Sequence, residues 1–272
     1  MIKKMLLLTC IFLLFNGCDG PQPKPFTYDV PPEPVQKHSA PEPSKIDNLQ
    51  KAVNYAKQIQ NRIKDIEDYT CTLTKRERIN GRLLNYEQCQ IKVRHQPFSA
   101  YMRYDYPSTV AGREILYIGG DSMLVKRGGK RLQNATVNVG INSPLALENS
   151  RYPITNLGFK YVISELISVG NIELKYPQNE IQVIESTAKI EGRACLLIQI
   201  THLVKRREYE YYIARIYIDK ELNLPIRHEV YDWSDNENTV LIGEYTYTNL
   251  KLNVGLTNVD FNSQNSNYGF RR

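Results

Sequence analysis

The chain is short of the residues and motifs that most often carry chemistry. Its 272 residues include one Trp, four His and five Cys. No G-x-S-x-G elbow, H-E-x-x-H pair, C-x-x-C pair or phosphate-cradling Gly-rich loop occurs in it. These gaps argue against a nucleophile-elbow hydrolase, a zinc peptidase, a dithiol redox protein and a nucleotide-binding enzyme. Long apolar runs are missing too. The run from Met5 to Phe15, broken by Thr9, falls short of the roughly 20 residues that a membrane-crossing helix needs. Charge of one sign is also modest, with 35 basic against 29 acidic residues and a net charge of +6. Basic and acidic residues are interspersed, which speaks against a nucleic-acid partner, since such proteins gather their cations on one face. No metal and no cofactor is expected.

What the chain does have begins at its N-terminus. Lys3 and Lys4, the short apolar run and Asn16-Gly17-Cys18 read as a bacterial lipoprotein signal. Residues 1–17 would be removed, leaving Cys18 as the acylated first residue and lipid attachment site. Phe15 and Asn16 depart from the usual aliphatic and small residues at those places, so simple secretion and an uncleaved anchor stay open as alternatives. Cleavage removes two lysines and no acid, which brings the net charge from +6 to +4. The expected location is the periplasmic side of a bacterial membrane, held by the lipid. Asp19 retains lipoproteins in the inner membrane of some bacteria, but the rule is not general, and inner versus outer membrane stays open. Residues 18–43 form a tether: eight of the fourteen prolines fall between positions 19 and 43. Such sequence stays extended at about 3 Å per residue and resists collapse.

Once Cys10 leaves with the signal and Cys18 is acylated, Cys71, Cys89 and Cys195 remain, an odd number for an oxidising compartment. Cys71 and Cys89 flank Asn80-Gly81 almost symmetrically. A hairpin with a one-residue bulge would set them opposite each other and permit a cross-strand disulfide. Buried free thiols are the competing reading.

Ser44 is an N-cap candidate ahead of Ile46, Leu49, Val53, Ala56, Ile63 and Ile66, an amphipathic helix of about 22 residues. From Tyr69 the period changes to that of strands. YTCTLTKRERI, the Asn80-Gly81 turn and RLLNYEQCQIKVRH make a long hairpin, followed by strands near 98–104, 113–119 and 122–127. A second helix is expected from Leu157 to Val169, stopped by Gly170. Further strands follow near 181–190, 193–203, 209–218, 224–233 and 239–248. About nine strands and two helices make one α+β domain over residues 44–262, and the tail 263–272 reads as disordered.

Candidate sites are few. His95, His202 and His228 each follow a strand-like run without metal-ligand spacing. The loop bearing Asp232, Asp235 and Glu237 could hold calcium only without the Gly and terminal Glu of a calcium loop. The stronger signal is aromatic: there are nineteen tyrosines. Phe98, Ala100, Met102 and Tyr104 share one strand face, while Ile115, Leu116, Tyr117 and Ile118 are apolar on both faces. A strand of that kind must be covered on both sides, or covered on one and line a cavity on the other. Phe98, Met102, Tyr104 and Tyr117 are therefore the candidate pocket lining, since aromatic rings pack against acyl chains. A sheet fully packed by the two helices is the alternative.

The runs YTCTLTKRERINGRLL, IKVRHQPFSAYMRY, AGREILYI, SRYPITNLGF, ARIYIDKELNLPIRHEVYDW and EYTYTNLKLNVGLTNVDF closely resemble an exported bacterial family of domains of unknown function. The likeness covers nearly all of residues 60 to 262. More loosely, the chain is similar to the lipoprotein-sorting folds of LolA, LolB and the N-terminal part of RseB. That resemblance implies a curved antiparallel β-sheet, a LolA-like half-barrel covered on its concave side by helices over an apolar pocket. By fold-level analogy it also implies a non-enzymatic envelope domain that binds an acyl chain, a lipid or a lipidated partner; a monomer is the expected state. A structural or protein-interaction module with a filled core is the second expectation. No family site residue can be placed on this chain beyond Cys18.

Overall fold

The computed structural model describes residues 45–129, 135–234 and 239–270. The signal, Cys18, the tether and Ser44 lie outside the described residues, as do Asp235 and Glu237.

Helix α1 (Lys45–Ile63) forms where apolar residues recur at helical spacing, and Leu49, Val53, Ala56 and Ile63 are all buried. Ala52 and Ile59 are also buried on this stripe, and Ile59 fills the gap of seven residues between Ala56 and Ile63. Ile66 lies beyond the helix end but is buried in the same core.

The strands are β1 (Asp68–Ile79), β2 (Arg82–Leu83), β3 (Glu87–His95), β4 (Phe98–Tyr106), β5 (Glu114–Tyr117), β6 (Ser122–Lys126), β7 (Thr136–Gly140), β8 (Ile181–Ile190), β9 (Arg193–His202), β10 (Ile213–Asp219), β11 (Leu224–Asp232) and β12 (Val240–Leu252). They form an antiparallel sheet of order β7-β6-β5-β4-β3-β1-β12-β11-β10-β9-β8, with β2 paired to β1. Two meanders, one from each half of the chain, are joined where β1 pairs with β12. Hairpin connections dominate because turn residues separate most neighbouring strands. At the first turn Ile79 faces Arg82, and Asn80 (φ 49°) with Gly81 (φ 78°) makes the two-residue loop.

The second helix, α2 (Phe159–Glu173), starts after Gly158 (φ 94°). A Cβ there would come 2.1 Å from the Tyr69 hydroxyl oxygen, so glycine is required both by conformation and by space. The helix runs through Gly170 instead of stopping at it. Gly170 lies where α2 crosses α1, and its missing Cβ is what lets the two backbones approach. Both helices pack on the same face of the sheet, which is therefore its inner face. This is the α+β class expected, one antiparallel sheet with both helices on the same face.

Three expectations are corrected. In the β1–β3 register Cys71 faces Ile91 and Cys89 faces Leu73, so the two cysteines are not opposed. Both are buried free thiols on the inner face. The segment read as one strand from 82 to 95 leaves the sheet at Leu84 to Tyr86, where Leu84 O accepts from Arg76 Nε at 3.0 Å and the Tyr86 hydroxyl donates to Glu244 at 2.6 Å. Finally, residues 263–270 of the tail are packed. Tyr268 stacks on Tyr101 at 3.9 Å, and Phe261 and Phe270 join the cluster around Tyr101 and Leu116 on the outer face. The outer side of the doubly apolar strand β5 is thus covered by the chain's own C-terminal segment. Asp68 starts that segment by accepting the Val254 and Leu256 amides at 2.7 and 2.8 Å, and Lys92 holds Asp260 at 2.8 Å. Strand β7 was not anticipated, because an edge strand with only Val139 buried carries too little hydrophobic pattern.

Candidate functional site

Strand alternation assigns the inner face. Leu73, Lys75 and Glu77 of β1 point to it, as do Met102 and Tyr104 of β4, Ile115 and Tyr117 of β5, and Tyr245 and Tyr247 of β12. The helices do not cover this face evenly. α1 seals the β8–β10 end, where Leu49, Ile59, Ile198 and Ile218 are buried against one another. Between α2, the 145–157 segment and the inner face of the sheet, from β7 across β1 and β12 to β9, a cavity of about 1110 Å³ is left. Small-molecule and lipid sites commonly measure about 300–1,000 Å³, so this space is at the large end.

Its walls are zoned. Leu73, Met102, Ile115, Met123 and Val125 from the sheet, with Val162 and Leu166 from α2, make an apolar region. Next to it runs a polar row across the strands. His228 faces Tyr245, Tyr245 faces Lys75, and Lys75 faces Glu87 in the register of β11, β12, β1 and β3. Lys75 Nζ lies 2.6 Å from Glu77 Oε2 and 3.4 Å from Glu87 Oε2. The other Glu77 oxygen accepts from the Tyr245 hydroxyl at 2.5 Å and from the Arg151 amide at 3.3 Å. Burial would push the Lys75 ammonium toward neutrality, but Glu77 and Glu87 outweigh it and hold its pKa well above the usual value. Burial likewise opposes the Glu77 carboxylate, and Lys75 outweighs it, holding the pKa below the ordinary range. Both groups are charged at neutral pH. The imidazole of His228 has no such partner. Burial, with Arg227 alongside, lowers its pKa to about 3, and its Nδ1 has no hydrogen-bond partner among the described residues.

At the far end of α2, Glu173 Oε1 stands 3.0 Å from His202 Nε2 and accepts from the Tyr211 hydroxyl at 2.8 Å. His202 Nδ1 lies 2.8 Å from Tyr211 O, and its ring stacks on Tyr209 at 3.9 Å. Both members of the pair are sealed from solvent, and their partners fasten the last turn of α2 to the sheet. His95 is held by Ile66 O at 2.7 Å, packed against Tyr69. The three histidines thus sit in separate surroundings: His95 and His202 have polar partners of their own, while His228 stacks on Tyr245. No group of three or more metal-ligating side chains is gathered among the described residues.

Of the expected lining, Met102 and Tyr104 are in the cavity wall. Phe98 and Tyr117 share the inner face but pack on each other further along the sheet, their rings 5.9 Å apart. The charged part of the wall was not anticipated. The sequence did carry a trace of it, since Lys75 and Glu77 sit at alternate positions of a strand whose other members on that face are apolar. No helix among the described residues is long and apolar enough to cross a membrane.

Comparison with solved structures finds similar chains at low identity. A putative outer membrane lipoprotein-sorting protein domain from Vibrio parahaemolyticus is 13% identical, with 79% of this chain and 98% of that one covered and a TM-score of 0.37. The Mycobacterium tuberculosis lipoprotein LppX is 14% identical over 76% and 98% of the two chains, with a TM-score of 0.44. LprF from Mycobacterium bovis is 16% identical over 80% and 97%, with a TM-score of 0.39. No functionally curated protein matches the sequence. The family match spans residues 66–270, from just before β1 through the packed C-terminal segment, and the chain belongs to the DUF1571 family of proteins of unknown function.

Proposed function

We propose that this chain is a membrane-anchored envelope lipoprotein, attached through Cys18, whose half-barrel binds an acyl chain, a lipid or a lipidated partner without performing catalysis. The observation that supports the reading is the cavity. Two helices pack on the inner face, yet about 1110 Å³ beside them is not filled by side chains of the described residues. A module with no ligand would be expected to close that space, because core voids lose dispersion contacts and hydrophobic stabilisation. Burying an acyl chain would contribute roughly 0.8 kcal/mol per methylene before ordering costs. The Pro-rich tether would let the domain reach a ligand away from the bilayer surface to which Cys18 holds it.

The test is native mass spectrometry with lipid extraction on the full chain purified from a bacterial envelope. The expected result is a non-covalent mass that extracts as lipid and is lost in Val125→Trp, which fills the apolar region. A clean apo mass that stays unchanged on incubation with phospholipid and with a triacylated peptide would overturn the reading in favour of the interaction module.

A further inference from the structure

We propose that Arg113 and Arg127 form a subsite for the phosphate, or an equivalent anionic headgroup, of an amphiphile whose acyl chain occupies the cavity. This deepens the acyl-binding reading and rests on it. Both residues are in the cavity wall. In the β5–β6 pairing Glu114 faces Lys126 and Ile115 faces Val125. Carried one residue beyond Glu114 and Lys126, the register sets Arg113 against Arg127. Both have the parity of Ile115 and Val125, which is the inner face.

The charge pattern across this pair of strands is asymmetric. On the outer face Lys126 is neutralised by Glu114 at 2.8 Å. On the inner face neither arginine is paired with a carboxylate among the described residues, and the Arg113 guanidinium lies over the Tyr104 ring, 5.3 Å from its centre. Seven carboxylates share the wall, and each has a partner other than the two arginines or faces solvent: Glu77 and Glu87 hold Lys75, Glu173 stands by His202, Glu229 pairs with Arg227, Glu165 is engaged by Tyr161, and Glu148 and Glu210 are exposed. Like charges placed opposite each other in a sheet destabilise it. An anion held between two guanidinium groups reverses the sign of that interaction, and arginine presents paired donors that match phosphate or carboxylate oxygens.

Position selects an amphiphile over a free anion. Ile115 and Val125 lie two residues along the same strands, about 7 Å away at strand rise, and begin the apolar region that continues to Met123 and Met102. A ligand whose charge rests on the arginines therefore has its next atoms over apolar wall. The Tyr104 ring, already under Arg113, spans the boundary.

The experiment titrates the full chain, in non-ionic detergent, with phosphatidic acid, with diacylglycerol of the same acyl chains and with inorganic phosphate, read by native mass spectrometry. Phosphatidic acid is expected to bind about tenfold or more tightly than diacylglycerol, as charge-assisted contacts to two guanidinium groups imply. In Arg113→Gln/Arg127→Gln the preference for phosphatidic acid should be lost and the two lipids should bind alike. Equal affinity for the two lipids in the unaltered chain overturns the subsite while leaving acyl binding in place. Inorganic phosphate binding as tightly as phosphatidic acid also overturns it, in favour of a free-anion site. Uptake of neither lipid overturns the acyl-binding reading itself, and the subsite with it.

Discussion

Gly170 of α2 lies so close to Val53 of α1 that an added Cβ would come 2.5 Å from Val53 Cγ2. This contact sets how closely the two helices cross, and it leaves α2 free to wall the cavity with its other side. Gly170→Ala should gain helix propensity but lose more to overpacking, with a net destabilisation of about 1–3 kcal/mol. Val53→Ala in the same chain should recover part of that loss. Denaturant midpoints of the two single variants and the double variant check it, and additive losses would count against the contact.

Lys75 and Glu77 are a buried pair on the cavity wall. Lys75→Met would leave Glu77 buried without its cation and should cost about 3–5 kcal/mol, while Lys75→Met with Glu77→Leu should cost much less. The pH dependence follows from the shifts. The Glu77 pKa is lowered on folding, so its contribution is present above the unfolded carboxylate value and is lost as pH falls through the lower folded value. The Lys75 pKa is raised, so its contribution persists through neutral pH and is lost only in strong alkali. Chemical denaturation from neutral pH to below pH 4 should show a larger acid loss in the parent chain than in the double variant.

His228 gives a second and distinct acid sensitivity. Its pKa falls from 6.5 to about 3 in the folded chain, so between those values the unfolded state binds the extra proton. Stability should therefore be complete above pH 6.5 and decline toward pH 3, by up to about 1.4 kcal/mol per pH unit. His228→Gln should reduce the slope between pH 6.5 and 5, where carboxylates scarcely titrate, leaving the part that His95 contributes, since burial lowers its pKa too. An unchanged slope would show that His228 is not its source.

Tyr268 tests the packed C-terminal segment. Its ring stacks on Tyr101, and its hydroxyl donates to Asp260 O at 2.6 Å. Tyr268→Ala should lose the stacking, worth about 0.5–1.5 kcal/mol, in addition to buried area. Tyr268→Phe should lose only the hydrogen bond, about 1 kcal/mol. Limited proteolysis would show the loosened segment directly, with faster cleavage beyond Asn253 in the alanine variant.

The domain thiols should be unreactive until the chain unfolds. Cys71, Cys89 and Cys195 are buried and free, and burial raises each pKa, that of Cys195 to about 11. Alkylation mapped by mass spectrometry should label none of the three rapidly in the native chain and all three in denaturant, without a reductant. Recovery of a Cys71–Cys89 bridge would contradict the register described.

The sequence by itself determined the fold class and most of the elements, though not β7, because hydrophobic period and turn chemistry are local. Leu49, Val53 and Ala56 mark α1 by their spacing, Asn80-Gly81 marks the first hairpin, and the doubly apolar run at 115–118 calls for cover on both sides, which Ile115, Leu116 and Tyr117 receive and Ile118, 62% exposed, does not. Tertiary structure decided what supplies that cover and what remains uncovered. Tyr268 and Phe270 read as tail until Tyr101 and Leu116 give them a surface, and Gly170 reads as a helix stop until Val53 lies beside it. The opposition of Cys71 and Cys89 failed on a register offset, since pairing between strands depends on the irregularity at residues 84–86 that propensity does not reveal. The cavity, with Lys75 beside Glu77 and the Arg113–Arg127 pair on its wall, exists only because two helices cover part of a face built from seven or more strands. That is a long-range property of how much volume the side chains fill, and no local pattern encodes it.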